Sequence, residues 1–458
     1  MKYLTKKRTA LSKFSIICLS VLALTGCQLF QSKPKEPTHY TLPTIESKYT
    51  AEELADFNNR VGLGRTNQYE GLTIRNTPLL KTPANLPKSL FYDSGINIAY
   101  PTEGVKGIYL TAENVANTEK FNTILSYLDQ TSLNSVVIDF KDDSGQITTQ
   151  LNTTNPMIQS NIVPIADLQS TLKTLEQHQI YPIARIVTFK DMFVASEHPE
   201  YSFIDKETGE IWQDAHGAMF INPFLKEMWD YNIDVAIEAA KMGFKDIQFD
   251  YIRFPEGFND FHADLAYSKG NYENYSATPI LDVDGNELEG AERVAAITDF
   301  LKYAKERLAP YGVNVSADIF GYTAVAGNAA DVTGIGQNFV QMANQLDVVS
   351  SMIYPSHWGA GFFGLDNPNA TPFDTVDEYM ASETQRLQQS NNQSVIRRPW
   401  LQDFSDADKV PYIIYGPKEV QDQIDALAKH GIYEFLLWNA SGDYTSGVNY
   451  MPEAPTQP

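Results

Sequence analysis

Cysteine is nearly absent from this sequence, and basic residues are scarce relative to acidic ones. Only Cys18 and Cys27 occur, so residues 28–458 contain no thiol for a disulfide or for thiol chemistry. Thirty-five Lys and Arg residues against 57 Asp and Glu residues give a formal net charge of −22. A surface this acidic repels nucleic acid, and the sequence contains no basic stripe. A neutral ligand fits such a surface better than an anionic polymer does.

Motifs that define several enzyme classes are also missing. The seven histidines form no His-x-x-x-His or His-x-His pair, which argues against a zinc hydrolase or deacetylase. The sequence has neither the Gly-x-Ser-x-Gly elbow of serine esterases nor a Gly-x-x-x-x-Gly-Lys loop for nucleotides. Residues 282–287 superficially resemble a calcium loop, but Gly285 comes too early for an EF-hand, which favours a β-turn. We therefore expect no metal, no cofactor, no nucleotide and no nucleic-acid partner.

Residues 1–26 have the pattern of an export signal. Basic side chains precede a short apolar run at residues 14–24, which is too short for a permanent membrane helix. The run leads into Leu24-Thr-Gly-Cys27, which resembles the bacterial lipobox of lipoprotein signal peptides. This resemblance implies cleavage before Cys27, acylation of its thiol, and a membrane-anchored protein in the cell envelope that faces outside the cytoplasm. An ordinary secretory signal with an incidental cysteine is the alternative.

The rest of the chain divides by composition and periodicity. Residues 27–100 are rich in Pro, Thr, Lys and Asn and have poor hydrophobic periodicity, which predicts a stalk and an N-terminal extension. Strand-like and helix-like segments alternate through residues 101–446, and residues 447–458 form a predicted C-terminal tail.

Eight strand-like segments alternate with helical segments in this main region. Strands are expected at residues 107–111, 135–141, 180–189, 247–252, 314–320, 346–354, 395–402 and 433–439. Helices are expected at residues 118–130, 165–178, 223–242, 291–309, 336–345, 376–389 and 417–430. This order predicts an α/β fold, a (β/α)8 TIM barrel with loop insertions and an N-terminal extension. An open doubly wound sheet is the alternative, but no glycine-rich dinucleotide turn follows the first strand.

Two carboxylates end neighbouring strands of the predicted barrel. In strand four, Ile247 and Phe249 alternate with Gln248 and Asp250, so the polar pair should point into the barrel. Strand five repeats this pattern and ends at Asp318. Reactive groups lie at the carboxyl ends of barrel strands, and two carboxylates at this separation suit the hydrolysis of a glycosidic bond. A structural ion pair between Asp250 and the nearby Arg253 is the alternative.

Polar and aromatic side chains follow the other strands of the predicted barrel. Aromatic faces can stack on sugar rings, while amide and guanidinium groups can bond to hydroxyl groups. Core packing is the alternative for each aromatic residue taken alone, but together they favour a carbohydrate-binding cleft. The predicted substrate-binding residues are Asp139, Arg185, Gln248, Arg253, Tyr354, His357, Gln402, Trp438 and Asn439.

Three segments carry a resemblance to a known family: Val105-Lys-Gly-Ile-Tyr-Leu110, Val137-Ile-Asp-Phe-Lys-Asp142 and the string that ends in Phe249-Asp-Tyr-Ile-Arg-Phe-Pro255. They resemble a family of bacterial (β/α)8 barrels that is regarded as a glycoside hydrolase family and was long catalogued as a domain of unknown function. The resemblance covers roughly residues 104–446. It implies a fold-level relation to amylase and α-galactosidase barrels, whose nucleophilic Asp ends strand four, which is Asp250 here. It implies an acid/base residue on strand five or six, and strand five offers Asp318 where amylases carry Glu.

Three functions agree with these patterns. The first is a surface-anchored glycoside hydrolase that cleaves a polysaccharide or cell-wall glycan, with Asp250 as nucleophile and Asp318 as acid/base. The second is a non-catalytic carbohydrate-binding lipoprotein, and the third is an envelope-assembly or structural protein. Aligned carboxylates beside an open groove favour the glycoside hydrolase. Carboxylates that are both held by arginine favour the carbohydrate-binding lipoprotein, and a blocked barrel mouth favours the structural protein. For the first, we expect Arg253 to keep Asp250 ionised and Asp318 to be the more enclosed carboxyl.

Overall fold

The computed structural model describes residues 90–452, apart from residues 276, 277 and 283, together with residue 52. The predicted signal peptide, Cys27 and almost all of the predicted stalk lie outside these described residues, as does the end of the predicted C-terminal tail. Within the described part of the chain, no helix has both the length and the apolar composition needed to cross a bilayer.

Eight parallel strands form a closed barrel. Each strand pairs with the next one along the chain, and the eighth pairs with the first. This closure confirms the predicted (β/α)8 barrel and excludes the open doubly wound sheet. A two-residue strand, Ile396–Arg397, also pairs with the sixth strand just before the seventh begins. The barrel strands β1 to β8 are Lys106–Leu110, Ser135–Lys141, Tyr181–Val187, Asp246–Asp250, Asn314–Phe320, Val348–Met352, Trp400–Gln402 and Phe435–Trp438.

Seven helices connect successive strands around the outside of the barrel. The predicted helix at residues 336–345 is shorter in the structure, because Gly336 has a φ of +77° and Asn338 caps the helix through its side chain. Further short α-helices lie in the loops, at Ala112–Ala116, Pro156–Ser160, Met192–Glu197, Phe258–Phe261, Gly321–Ala326 and Ala330–Gly334. The connecting helices α1 to α7 are Thr118–Asp129, Leu168–His178, Lys226–Met242, Ala291–Leu308, Phe339–Ala343, Pro372–Leu387 and Pro417–Lys429.

Two small antiparallel pairs of strands form part of the loop insertions. Ile204–Asp205 pairs with Leu265–Ala266, and Ile280–Leu281 pairs with Glu287–Leu288. The second pair is closed by a turn in which the Asp282 side chain accepts hydrogen bonds from the backbone N–H groups of residues 284 and 286. Asp282, Asp284 and Asn286 therefore lie in the expected turn.

The segment before β1 crosses the N-terminal end of the barrel. Ile96 packs so closely on Gly243 that a Cβ there would lie 2.5 Å from the isoleucine side chain. The Lys245 ammonium donates to the Ile96 carbonyl at 2.6 Å, and the Tyr100 hydroxyl donates to Glu434 at 2.7 Å. This segment covers one end of the barrel, and the candidate site lies at the other end.

Polar groups fill the interior of the barrel below the candidate site. The Arg398 guanidinium forms a fully buried ion pair with Asp246 at 2.9 Å, and the Ser316 hydroxyl donates to the same carboxylate at 2.5 Å. Buried charges of this kind are tolerated when they are paired and hydrogen-bonded. They form a rigid polar layer beneath the residues that reach the barrel mouth.

Candidate active site

A cavity of about 440 Å³ opens at the carboxyl ends of the barrel strands. Arg185 of β3, Asp250 of β4 and Asp318 of β5 all line it, and each comes from a strand adjacent to the next. The register pairs Phe249 with Ala317, so Asp250 and Asp318 are the next residues along the two strands. Because neighbouring strands lie about 4.8 Å apart, the two carboxyl groups enter the cavity side by side.

Asp250 is held in one orientation by three hydrogen bonds. The Arg185 guanidinium donates to Oδ2 through Nε at 2.9 Å and through Nη2 at 2.6 Å. The backbone N–H of Tyr251 donates to Oδ1 at 2.6 Å. Charge-assisted bonds of this kind stabilise a carboxylate anion and fix its direction. Asp250 is therefore oriented as a carboxylate at the cavity wall.

The backbone directly after Asp250 is strained. Tyr251 has a φ of +46°, a conformation that is uncommon for a bulky side chain. Such strain persists only where the surrounding structure enforces it, and it is concentrated at functional sites. Here the strained residue is the one whose backbone N–H donates to the Asp250 carboxylate.

Asp318 lies in a different environment from Asp250. Its side chain is buried, and the Trp400 indole N–H donates to Oδ1 at 2.6 Å. Burial raises the pKa of Asp318 well above its usual range, and the neighbouring charge of Asp250 raises the pKa further. Asp318 is thus suited to hold a proton at a pH where an exposed Asp has lost it.

Arg185 joins Asp250 to a second carboxylate that lies behind it. Its Nη1 donates to Asp139 Oδ1 at 2.7 Å, and the Tyr109 hydroxyl donates to Asp139 Oδ2 at 2.5 Å. Burial raises the pKa of Asp139 to about 6, although the charge of Arg185 opposes this rise. Tyr109 stacks on Trp438 with ring centroids 4.0 Å apart, and both rings lie within 6 Å of the guanidinium. Asp139 and the two rings therefore position Arg185.

Residues 107–444 match the family described as "Putative glycosyl hydrolase domain". The chain belongs to this family. Its barrel is therefore a glycoside-hydrolase-like barrel, and the family is the one that the motifs in β1, β2 and β4 predicted. Among curated proteins, none matches the chain.

Several solved structures are similar to this family member. A hypothetical protein from Ruminiclostridium thermocellum ATCC 27405 is 29% identical, with a TM-score of 0.38, over 50% of this chain and 98% of that one. The glycoside hydrolase domain of PgaB (BpsB) from Bordetella bronchiseptica is 13% identical, with a TM-score of 0.49, over 74% of this chain and 94% of that one. A β-galactosidase from the psychrophilic Marinomonas ef1 is 12% identical, with a TM-score of 0.49, over 73% of this chain and 54% of that one.

Arg253 does not contact Asp250 as the sequence suggested. It lines the cavity, but its Nη2 donates to Glu256 at 2.9 Å and its guanidinium lies over Phe320 at 4.8 Å. The left-handed backbone at Tyr251 ends the strand alternation, so Arg253 is directed away from Asp250. The expected arginine partner of Asp250 exists, but it is Arg185.

Four predicted substrate-binding residues bond to other protein groups and do not line the cavity. Asp139 is one of them, since it lies behind Arg185 and bonds to Arg185 and Tyr109. Buried Gln248 donates to Ser350 Oγ at 3.0 Å, one layer below Asp250. Gln402 accepts from the Ser356 N–H at 2.9 Å, and Asn439 donates to the Asp403 carbonyl at 2.6 Å. The strand alternation identifies inward-facing residues, but it does not tell how deep each one lies in the barrel.

The remaining predicted substrate-binding residues, like Arg253, lie at the cavity. Tyr354, His357 and Trp438 line it together with Arg185. Burial raises the pKa of Tyr354 well above its usual range, and the charges of Asp318 and Asp250 raise it further. Burial also lowers the pKa of His357, so its imidazole is held neutral at physiological pH.

Asp143 is a cavity carboxylate that the sequence reasoning missed. It follows β2, and its Oδ1 lies 3.3 Å from Arg185 Nη2 and 3.5 Å from the Lys190 ammonium. Burial acts to raise the pKa of Asp143, but the charges of Arg185 and Lys190 outweigh burial and lower the pKa overall. Its position in the acidic turn that leaves the carboxyl end of β2 is the signal that could have identified it.

Four other cavity residues were less clearly indicated as site residues by the sequence. Trp400, Glu256, Tyr322 and Phe362 also line the cavity. Within the residues that the structure describes, no group of three or more His, Cys, Asp or Glu side chains is arranged to hold a metal ion.

Proposed function

We propose that this family member is a retaining glycoside hydrolase that cleaves a polysaccharide or cell-wall glycan, with Asp250 as nucleophile and Asp318 as acid/base. The observation that carries the proposal is the unlike environment of two carboxyl groups at one cavity. Asp250 is oriented as an anion by Arg185, whereas burial and the charge of Asp250 raise the pKa of Asp318. Glycosidases need one carboxylate and one carboxylic acid, and unlike surroundings produce such a pair.

The reaction then proceeds in two displacements. In the first, an Asp250 oxygen bonds to the anomeric carbon, the glycosidic C–O bond breaks, and Asp318 gives its proton to the departing oxygen. In the second, a water molecule attacks the anomeric carbon, Asp318 takes the proton of that water, and the ester to Asp250 breaks. Retention requires carboxyl groups roughly 5–5.5 Å apart, a separation compatible with adjacent strands.

The surroundings of the two carboxyl groups favour hydrolysis over binding without turnover. Among the residues that the structure describes, arginine bonds to Asp250 but not to Asp318, whose hydrogen-bond partner is the Trp400 indole. The cavity is also large enough for a sugar unit, with a volume of about 440 Å³. A carboxyl group with a raised pKa beside a fixed carboxylate in one cavity is the arrangement that acid and base catalysis uses.

A glycan panel tests this function. The purified full-length protein is incubated with starch, cellulose, chitin, mixed-linkage glucan and cell-wall preparations, and released reducing ends are measured. NMR of the first product gives its anomeric configuration, which we expect to match that of the substrate. Asp299→Asn is the matched control, because Asp299 is also enclosed, with burial raising its pKa to about 7, but it bonds to Tyr272 beside α4. Turnover by wild type and Asp299→Asn but not by Asp250→Asn supports the proposal, whereas turnover that survives in Asp250→Asn contradicts it.

A further inference from the structure

Two exposed aromatic side chains stand at the rim of the cavity. Tyr322 is 37% exposed and Phe362 is 36% exposed, and both line the cavity. Their ring centroids are 6.2 Å apart in an edge-to-face arrangement. Exposed apolar surface that adjoins a cleft commonly marks a ligand-binding site.

A strained loop holds Phe362 in this position. Phe363 has a φ of +57° and lies between Gly361 and Gly364, which also have positive φ values. The Phe363 ring packs on Trp358 at 4.9 Å, and the Phe362 ring packs on the same indole at 5.2 Å while its exposed part lines the cavity edge. A left-handed phenylalanine is costly and persists only where the surrounding structure enforces it. The loop therefore fixes the Phe362 ring at the cavity edge.

The part of the cavity wall formed after β2, β3 and β4 is polar. Arg253 and Glu256 form an ion pair there at 2.9 Å, and Asp143 lies beside Arg185 on the β2 and β3 side. A sugar ring has apolar C–H faces and a polar edge of hydroxyl groups. A cavity that combines aromatic faces with charged donors and acceptors matches both parts of such a ring.

We infer that Tyr322 and Phe362 form a subsite that stacks a sugar ring of the leaving-group portion of the substrate. This inference rests on the proposed function. Tyr322 follows β5, the strand that carries Asp318. Since the acid/base gives its proton to the departing oxygen, the sugar attached to that oxygen extends toward the side of Asp318 and the loops after β5 and β6. The subsite makes the enzyme selective for chains over small glycosides.

The test compares substrates with and without a leaving-group sugar. A glycosyl fluoride departs as fluoride, which is too small to reach the rim and needs no stacked ring. For Phe362→Ala and for Tyr322→Ala, we expect kcat/KM on a hexasaccharide of the glycan hydrolysed in the panel to fall about tenfold. The rate on the corresponding glycosyl fluoride should stay within about twofold of wild type. Tyr322→Phe, which keeps the ring, should behave like wild type on both substrates.

Tyr92→Ala is the matched control for loss of an exposed tyrosine. Tyr92 is 50% exposed and packs on Tyr311 at 5.7 Å, near the N-terminal end of the barrel. Tyr92→Ala should leave the rates on the hexasaccharide and on the glycosyl fluoride unchanged. Equal losses on the hexasaccharide and the fluoride in Phe362→Ala, or no loss on either, would overturn the subsite while leaving the proposed function intact.

A binding measurement separates failure of the subsite from failure of the catalytic proposal. If wild type hydrolyses neither substrate, the proposed function fails, and the Asp250→Asn protein is titrated with maltohexaose, cellohexaose and chitohexaose by calorimetry. Binding of at least one hexasaccharide that weakens about tenfold on Phe362→Ala supports the subsite. No binding of any of the three, or binding that is unchanged by the substitution, overturns it.

Discussion

Arg185 connects most of the charged groups of the candidate site. It is almost fully buried and donates to both Asp139 and Asp250, which a lysine cannot do in the same fixed plane. We predict that Arg185→Lys lowers kcat by about a hundredfold, because Asp250 loses its orientation. Steady-state kinetics on the glycan from the panel, with urea unfolding to verify the fold, measures this effect. Arg307→Lys, which alters a partly exposed pair with Asp234, should leave kcat unchanged.

Asp318 determines the predicted pH dependence. Its pKa in the folded protein is raised, chiefly by burial and then by the charge of Asp250, so the carboxyl is protonated below that pKa and loses its proton as the pH rises through it. The kcat/KM for an unactivated glycoside should therefore fall on the alkaline side, since the leaving oxygen needs the proton. A pH profile of wild type and Asp318→Asn measures this. An alkaline fall of the same size in Asp318→Asn would assign the titration to another group.

The loop after β2 depends on one glycine. Gly145 has a φ of +97°, and a Cβ there would lie 2.3 Å from Asp191 Oδ1, the buried partner of Lys141. We predict that Gly145→Ala costs about 3 kcal/mol or more of unfolding free energy, because both backbone strain and a clash with an ion pair contribute. Gly285 is the matched control, since it has a φ of +83° and a Cβ there would meet no atom within 4 Å. Gly285→Ala should cost about 1 kcal/mol in the same urea experiment, and equal losses in the two variants would contradict the role of the clash.

The strands could be predicted well because their signals are local. Period-two alternation identified β4 and β5 and their inward residues, which include Asp250 and Asp318. The direction of Arg253 could not be predicted in the same way, because it depends on the left-handed Tyr251, and a tyrosine carries no signal for a positive φ. The hydrogen-bond partners of Gln402 and Asn439 could not be predicted either. They are backbone groups of loops, and these loops come close to the two side chains only in the assembled barrel.

The whole barrel followed from the order of its segments. Eight strands alternating with helices permit few arrangements, and the closure between β1 and β8 agrees with the predicted one. Asp143, Tyr322 and Phe362 line the cavity because loops from different strands meet at the barrel mouth. The pattern of residues within one segment carries no information about such contacts between loops. The fold was therefore more predictable than the composition of the cavity wall.

The lipid anchor is a prediction about the whole molecule. Leu24-Thr-Gly-Cys27 resembles a lipobox, and we expect acylation at Cys27 to place the barrel at a membrane surface in the cell envelope. Cys27→Ala should move the protein from the detergent phase to the aqueous phase, or block signal processing, without changing the circular dichroism of the purified barrel. Equal aqueous partitioning of wild type and variant would show that the protein is not lipid-anchored.

The assignment of Asp250 and Asp318 is tested most directly by turnover of Asp250→Asn and Asp318→Asn on one activated aryl glycoside and one unactivated oligosaccharide of the same sugar. We predict that Asp250→Asn loses nearly all turnover on both substrates, because the attacking oxygen is lost. We predict that Asp318→Asn loses turnover mainly on the oligosaccharide, because only its leaving group needs a proton. If Asp250→Asn retains more than about a tenth of the wild-type rate, a loss of less than about 1.4 kcal/mol in barrier, then Asp250 is not the nucleophile.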